Sequence, residues 1–373
     1  MVNQESWLHP LHGDARVCDG GNANNTLPPS YFTLNETDNP YLSTLSKIFS
    51  RAGNKVTVAD VLASANRDLQ EGIRVYPVSE MWIWNNEDEA SDEWIPQGMT
   101  SSGDAVANGI YEDRDIWLVS WYQNGGPNVR ISFVDRRTHK YRHVLLVEPN
   151  SVDDFNSVPI HAGGIAWYGN ALYVVDTDDG LRVFDMDNIW RVETGDGIGK
   201  KAESNGGGYS AANFAYVLPQ MRVYNWTDLQ RDSMFRHSWV ALDRLDAPDT
   251  LLVGEYQQTD SSPIRVVKYP LDNETRRLRK TNSTVVTAVW AYCIDILRLQ
   301  GGFSRNDTFF FARSNGDNLG DLFTWTPGEW ADGVSYFPPG PEDLSYNEAR
   351  KEWYTVTEHK NERYILAYQR DIN

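Results

Sequence analysis

Short runs rich in Val, Ile, Tyr, Trp and Phe alternate with Gly, Asn, Asp and Pro turns from residue 73 to the end of the chain. Such runs, bounded by turn-forming residues, are typical of β-strands. They fall into successive units of four strands, and the last unit has three. The predicted strands are 97–100, 116–122, 129–134 and 141–147; 164–168, 172–177, 181–185 and 214–224; 239–243, 251–256, 264–269 and 284–291; 301–303, 308–314, 321–325 and 333–337; and 343–346, 353–358 and 363–368.

This repeat predicts an all-β fold, a five-bladed β-propeller. A repeat array whose last unit lacks its outer strand leaves backbone donors and acceptors unpaired, and propellers remove such edges by closing the ring. The run at 73–84 precedes the first unit and is free to supply the missing strand. The alternative architecture is a β-sandwich with a separate helical domain.

Residues 1–70 have a different pattern. Leu42, Leu45, Ile48 and Phe49 recur at helical spacing, and a second helical run covers 56–69. We therefore expect a short helical N-terminal extension over 1–70 that packs on a propeller over 71–373.

The net charge of −18 excludes a nucleic-acid partner, because binding to the phosphate backbone depends on Lys and Arg. It also disfavours anionic membrane surfaces, and no apolar run approaches the roughly 20 residues that span a bilayer. The expected partner is a small molecule, and the expected state is a monomer. The content of 14 Trp and 19 Tyr suits half-buried strands and the walls of a ligand site.

The compartment and the state of the two cysteines stay open. Cys18 and Cys293 lack metal-binding spacing and allow at most one disulfide; two unpaired thiols of a cytoplasmic protein are the favoured interpretation. Neither a basic region nor an apolar stretch of a secretory signal opens the chain. Six glycosylation-type sequons keep secretion as the alternative.

The blade pattern brings polar residues from distant parts of the chain to one rim. The innermost strands start at aligned polar positions, which are Gln97, His161, His237, Gln300 and Glu342. The second strands return to the same rim and end near Trp121, Asp176, Glu255, Arg313 and Glu358. We expect this ring to bind a ligand or carry catalysis. The alternative is that it satisfies backbone groups and water in the channel.

Three residues are the candidates for proton transfer. An unperturbed imidazole titrates near pH 6.5, so His161, followed by the small residues of Ala-Gly-Gly, and His237 are suited to acid–base catalysis. Glu342 and Asp343 are adjacent carboxyls at a strand start, where alternation directs one to the channel and the other into the blade. Glu342 is the better candidate for catalysis, and Asp343 is equally suited to tying the last blade to backbone amides.

Common cofactor motifs are absent from the sequence. It contains no zinc, EF-hand, dinucleotide, phosphate-loop or nucleophile-elbow signature. We therefore expect no cofactor, although carboxylates at a propeller centre are able to hold calcium. The Gly-rich insertion at 193–213 is predicted to be a surface loop on the face opposite the ring.

Three phrases, PQGMT at 96–100, HAGGIAWY at 161–168 and GPEDLSY at 340–346, are similar to those of propeller-like proteins encoded in fungal trichothecene toxin clusters. The resemblance covers most of the chain but rests on blade motifs. It implies a cofactor-free cyclase of sesquiterpenoid biosynthesis that acts on an oxygenated terpenoid. Such an enzyme closes an oxygen ring by attack of a hydroxyl on an allylic alcohol, with loss of water.

In that reaction His161 and Glu342 would be the acid and base, in an order left open, and Trp121 and Trp167 would form aromatic walls of the pocket. Two other functions remain as alternatives. One is a non-enzymatic propeller that binds a glycan or another protein. The other is a lactonase or glycosidase, for which a calcium ion or the separation of two carboxylates among Glu255, Glu342 and Glu358 would be decisive.

Overall fold

The computed structural model describes residues 26–202, 204, 206–227, 234–244, 248–258, 264–294, 296–305 and 307–369. Within these residues the chain is all-β with a few short helices, and its strand arrangement fits a β-propeller. No helix in this part of the chain combines the length and the apolar character needed to cross a membrane.

The N-terminal segment mixes short helices and strands. After a 3₁₀ turn at Pro29–Tyr31, its elements are β1 (Thr33–Asp38), α1 (Leu42–Arg51), β2 (Lys55–Val56), α2 (Val58–Ala63), β3 (Arg67–Asp68), β4 (Gln70–Glu71), β5 (Val78–Ile83) and α3 (Asn86–Glu89).

The first two antiparallel units follow. The first contains β6 (Trp94–Ser101), α4 (Ser102–Ala105), β7 (Ile116–Gln123), β8 (Val129–Asp135), β9 (Lys140–Pro149) and β10 (Phe155–Ser157). The second contains β11 (Ile165–Tyr168), β12 (Ala171–Asp176), β13 (Gly180–Asp185), β14 (Ile189–Arg191), β15 (Ile198–Lys200), β16 (Tyr209–Ala211) and β17 (Tyr216–Trp226). A parallel pairing of β17 with β9 joins the two units into one sheet.

Three further sheets complete the order. They are β18 (Trp239–Asp243), β19 (Thr250–Gly254), β20 (Ile264–Pro270), β21 (Val285–Thr287) and β22 (Trp290–Ile294); β23 (Leu299–Arg305), β24 (Thr308–Asn315), β25 (Asn318–Trp325) and β26 (Asp332–Phe337); and β27 (Pro341–Asn347), β28 (Glu352–Thr357) and β29 (Tyr364–Gln369). In each sheet successive strands pair antiparallel, except that β21 pairs with β1 and not with β20 or β22.

The last sheet obtains its fourth strand from the N-terminal side of the chain. Strand β5 pairs antiparallel with β29, and Met81 lies opposite Leu366. The prediction that the run at 73–84 supplies this strand is therefore confirmed. The pairing satisfies the backbone edge that the three C-terminal strands would otherwise leave open.

The first strands of the units lie against one another around a common centre. Contacts join β6 to β11, β11 to β18, β18 to β23, β23 to β27, and β27 back to β6. Glycine allows two of these approaches. A Cβ at Gly164 would lie 2.6 Å from Trp239 Cα, and one at Gly301 would lie 2.5 Å from Asp343 Cα. Because no side chain fits such gaps, glycine at these two positions allows the strand starts of different units to contact each other.

The N-terminal segment follows the outer edges of the sheets. Strand β1 pairs with both β17 and β21, β2 pairs with β14, and β3 pairs with β9. Helix α1 buries Leu45 and Phe49, and the Phe49 ring stacks on Trp190 with centroids 4.5 Å apart. The helical spacing that predicted α1 therefore also identified its buried face. The proposed boundary at residue 70 stays a prediction.

Three local predictions were wrong. The run at 284–291 is two strands, because β21 leaves the edge of its own sheet to pair with β1, and β22 then pairs with β20. The run at 56–69 is helical only at Val58–Ala63 and continues as β3, which pairs with β9. The insertion at 193–213 contains the hairpin β15–β16, and Tyr209 packs its ring against Phe49 and Phe155.

The cysteine expectation is also corrected. Cys293 is disulfide-bonded, so the interpretation of two unpaired thiols is wrong. Cys18 lies outside the described residues.

Candidate functional site

Two glutamates and two glutamines form a continuous hydrogen-bonded chain where the last sheet meets its neighbours. Gln300 Nε2 donates to Glu342 Oε1 at 2.6 Å, Glu342 is hydrogen-bonded to Glu358, and Gln97 Nε2 donates to Glu358 Oε2 at 3.1 Å. The Gln97 amide also donates to the Pro96 carbonyl at 2.9 Å. Each carboxyl is therefore held by one amide and faces the other carboxyl.

A negative charge on Glu342 is costly, because the side chain is buried beside other carboxyl groups. Burial, followed by the charges of Glu358 and Asp343, raises the pKa of Glu342 well above its ordinary value. Glu342 is only 2% exposed, which removes the water that would stabilise a second negative charge. Glu342 therefore keeps its proton at pH values where an exposed glutamate has lost it.

Two tyrosines lie close enough to Glu342 and Glu358 for these carboxyls to raise their pKa values. Burial raises the pKa of Tyr122, and the charges of Glu358 and Glu342 raise it further. Burial and the same two carboxyls also raise the pKa of Tyr256. Both hydroxyls therefore remain protonated at neutral pH and are able to donate hydrogen bonds. We call Gln97, Tyr122, His161, Tyr256, Gln300, Glu342 and Glu358 the polar cluster.

His161 joins the cluster through Tyr122. The two ring centroids lie 4.3 Å apart, and solvent reaches the imidazole. Surrounding protein nevertheless lowers the pKa of His161. His161 is therefore a neutral imidazole beside the carboxyl pair.

Asp343 lies at the centre of the strand starts and does not face the cluster. Its Oδ2 accepts hydrogen bonds from the backbone N–H of Met99 at 3.0 Å and of Ile165 at 3.1 Å, and its Oδ1 accepts one from Leu344 at 2.9 Å. The side chain is fully buried. Of the two roles considered for Asp343, the geometry matches the structural one, because its oxygens connect the first, second and last sheets.

The two predicted tryptophan walls lie in the hydrophobic core. Trp121 is fully buried, and its ring packs edge-on against Trp84 with centroids 4.7 Å apart. Trp167 is also fully buried, lies beside Tyr111 and donates its indole N–H to the Gly169 carbonyl. Neither ring borders an open recess, so their proposed role as pocket walls is corrected.

His237 is also placed away from solvent. It is fully buried, and its ring lies 4.8 Å from that of Phe235 and 6.0 Å from that of Trp226. Burial lowers its pKa to about 3, so the imidazole is neutral at physiological pH. A buried, uncharged ring in an aromatic setting supports packing and not proton exchange with a substrate.

Three other predicted members of the ring are engaged in ion pairs within their own sheets. These pairs are Asp176 with Arg182 at 2.7 Å, Glu255 with Arg265 at 2.5 Å, and Arg313 with Asp321 at 2.5 Å. Neighbouring strands supply both partners of each pair. Their charges are therefore already neutralised, which leaves them poorly suited to receive a substrate.

Tyr122 and Tyr256 are the members that sequence reasoning missed. The predicted positions were Trp121 and Glu255, each one residue earlier on the returning strand. Side chains alternate between the two faces of a strand, so a shift of one residue selects the opposite face. The available signal was that Tyr122 and Tyr256 share the face of Glu358 at the ends of their strands.

A serine, a histidine and an aspartate form a second chain inside the first unit. Ser132 Oγ lies 3.0 Å from His143 Nδ1, and His143 Nε2 lies 3.1 Å from Asp88 Oδ2. Asp88 is also bonded to Arg130 at 2.7 Å and to the Tyr141 hydroxyl at 2.6 Å. Ser132 is fully buried, so no substrate reaches its hydroxyl. The arrangement resembles a catalytic triad in order but serves as a buried polar network.

The described residues contain no group of three or more His, Cys, Asp or Glu side chains arranged to hold a metal ion. The expectation that the protein works without a cofactor stays a prediction. Glu342 and Glu358 are the carboxyls of the polar cluster, and carboxylate oxygens are the kind of ligand that calcium binds.

No protein-family model matches the chain, and no curated protein matches it. Among solved structures it is similar to the β-propeller domain of Cps50 (Swd1) from Myceliophteria thermophila, at 8% identity and a TM-score of 0.35, over 81% of this chain and 99% of that one. It is also similar to a gluconolactonase from Xanthomonas campestris, at 10% identity and a TM-score of 0.36, over 82% of this chain and 96% of that one.

Proposed function

We propose that the protein is an acid–base enzyme that forms or breaks a carbon–oxygen bond in a small, uncharged, hydroxyl-bearing molecule. The observation that carries this proposal is the placement of the Glu342 and Glu358 carboxyls beside each other, each held by a glutamine amide, with the pKa of Glu342 raised by burial and by its carboxyl neighbours. Asp88 and Glu255, by contrast, are buried carboxylates that are neutralised by arginines. A carboxyl pair that shares one proton supplies an acid and a base at the same pH.

The proposed scaffold is a five-bladed propeller closed by β5. Support comes from the order of contacts among β6, β11, β18, β23 and β27, in which each first strand touches the next and the last touches the first. In this arrangement Gln97, Gln300 and Glu342 begin three different blades and meet at one rim.

The pair has the parts for a complete catalytic cycle. Glu358 accepts the proton of the attacking hydroxyl or water, and Glu342 donates its proton to the departing oxygen. A new carbon–oxygen bond forms as the old one breaks. Afterwards Glu358 is protonated and Glu342 is ionised, and transfer of the proton across their hydrogen bond restores the starting state. Gln97 and Gln300 keep the two carboxyls aligned, and Tyr122 and Tyr256 are positioned to bind substrate oxygens.

Two reactions of this class are candidates. The dehydrative closure of an oxygen ring in a sesquiterpenoid, implied by the sequence resemblance, requires an acid and a base and no cofactor. Hydrolysis of a small lactone requires the same two groups. A glycosidase would need its two carboxyls about 5 Å or more apart, to leave room for the sugar or water.

The test incubates the protein separately with an oxygenated sesquiterpenoid triol and with a set of small lactones, with and without a chelator. Products are followed by mass. Loss of water from the triol supports the cyclase, and gain of water by a lactone supports the hydrolase. Glu342→Gln and Glu358→Gln should each lower the rate by about a hundredfold or more. Exposed Glu274→Gln is the matched control and should keep the rate. Turnover at the wild-type rate in both cluster variants would exclude the carboxyl pair as the catalyst.

The disulfide supports secretion over the cytoplasm as the compartment, because disulfides persist mainly in oxidising environments. Alkylation of the unfolded protein with and without reductant, followed by mass, should show two additional labelled thiols only after reduction. Full labelling without reductant would support the cytoplasmic alternative.

A further inference from the structure

A second polar cavity lies on the outer flank of the first unit. Its volume is about 320 Å³, within the range of small-molecule sites. Strands β8 and β9 form its floor, Trp94 lies on one side, and residues 212–215 next to the β15–β16 hairpin form another wall. The insertion that the sequence presented as a plain surface loop therefore closes a cavity. None of the polar cluster residues lines it.

Two polar side chains of this cavity have buried atoms without a partner among the described residues. They are the Arg130 Nε donor and the Asn128 Oδ1 acceptor. Asn128 and Arg130 are two residues apart, so they project from the same face of the sheet. Asn128 Nδ2 donates to Gln123 Oε1 at 2.6 Å, which directs its oxygen the other way. A bound group with both a donor and an acceptor would satisfy this pair.

Arg130 is fixed as part of the wall. Its side chain is only 5% exposed, and the guanidinium lies between the rings of Trp94 at 4.5 Å and Trp121 at 4.7 Å. Its Nη2 donates to Asp88 at 2.7 Å. Because the group is already ordered, a ligand that binds it loses little side-chain entropy from the protein.

The cavity also contains an arginine whose charge is not matched by a carboxylate. Within the described residues, Arg142 donates only to the Ser64 carbonyl, at 3.3 Å, and lies beside the Tyr216 ring. The charges of Arg67 and Arg130 are balanced in part by Asp88. The wall therefore offers a free positive charge in a chain whose net charge is −18.

We propose that this cavity binds a small hydroxylated carboxylate of the sugar-acid type. The carboxylate would pair with Arg142 and accept from Arg130 Nε, and a hydroxyl would donate to Asn128 Oδ1. The Trp94 ring offers an apolar face for the C–H groups of such a ligand. A phosphate dianion fits less well, because it would bring two negative charges, instead of one, to the Glu93 carboxylate at the cavity wall.

The experiment is calorimetric titration of the full chain with D-galacturonate and D-gluconate at neutral pH. Galactose, which lacks the carboxylate, and inorganic phosphate are the comparison ligands. Saturable binding of a sugar acid at a stoichiometry of one, with much weaker binding of galactose, is the expected result. Arg142→Gln should weaken binding about tenfold or more, since it removes a charged hydrogen-bond donor. The exposed Arg51→Gln is the matched control and should leave affinity unchanged.

A second variant separates this site from the polar cluster. Glu342→Gln should bind the sugar acid with wild-type affinity, whatever it does to catalysis. Loss of binding in Glu342→Gln together with retention in Arg142→Gln would move the ligand to the polar cluster and overturn the proposal. Absence of saturable binding by both acids at millimolar concentration, equal affinity for galactose, or tighter binding of phosphate would overturn it as well.

Discussion

Replacing Glu342 by glutamine should change how the stability of the protein depends on pH. The folded chain keeps a proton on Glu342 that the unfolded chain releases once the pH exceeds about 4.3. The stability that this group contributes is therefore complete below the unfolded pKa and is lost as pH rises toward the folded pKa. The loss amounts to about 1.4 kcal/mol per pH unit.

The variant removes this dependence and keeps the shape of the side chain. A glutamine at position 342 is able to accept from Gln300 and donate to Glu358, as the protonated acid does. Urea unfolding of both proteins at about pH 5 and pH 6 should therefore show the variant gaining about 1.4 kcal/mol on the wild type across that interval. Parallel stability curves would contradict a raised pKa of Glu342, because they would mean that Glu342 ionises in the folded protein as it does in the unfolded chain.

Three further variants test other parts of the structure by urea unfolding. Asp88→Asn should destabilise the fold by about 3 to 5 kcal/mol, since it leaves the buried charge of Arg130 uncompensated. The exposed Asp92→Asn is the control and should change stability by less than about 1 kcal/mol. Equal effects of the two variants would contradict the role given to the Asp88–Arg130 ion pair. Gly164→Ala should cost about 3 kcal/mol, because its Cβ would meet backbone at 2.6 Å, and a neutral result would contradict the contact between inner strands. Burial raises the pKa of Glu36, but hydrogen bonds from lysine and arginine hold it below its ordinary value, so Glu36 contributes stability above its unfolded pKa that is lost as pH falls. Glu36→Gln should therefore be less stable than the wild type at neutral pH and approach it in acid, and a constant difference would count against the ion pairs.

The strand pattern predicted most of the sheet structure because it depends on local chemistry. Alternating apolar residues and turn signals mark strands wherever one or both faces are buried. The division of the predicted strand 284–291 into β21 and β22 was not predicted, because both strands have the same β-type composition. Their partners, β1 and β20, are decided by tertiary contacts that a local pattern does not contain.

The candidate site was only partly predictable, for a related reason. Gln97, Gln300, Glu342 and Glu358 follow from aligning the units, and the structure brings them together. Trp121 was selected in place of Tyr122 because the exact end of a strand is poorly determined by sequence, and a shift of one residue reverses the face.

Charge neutralisation was the other missing information. Partners such as Arg265 for Glu255 lie on the adjacent strand, and only the register shows that they meet. A buried carboxylate that has a cation is structural, whereas one that faces another carboxyl is a candidate for catalysis. Sequence alone did not separate the two kinds.

A neutron crystal structure at neutral pH would show which carboxyl of the pair carries a proton, because it locates the deuterium atoms on the carboxyl groups. We expect a single deuteron between Glu342 and Glu358, bound to Glu342, with the amides of Gln97 and Gln300 donating from either side. Two ionised carboxylates separated by water would contradict it.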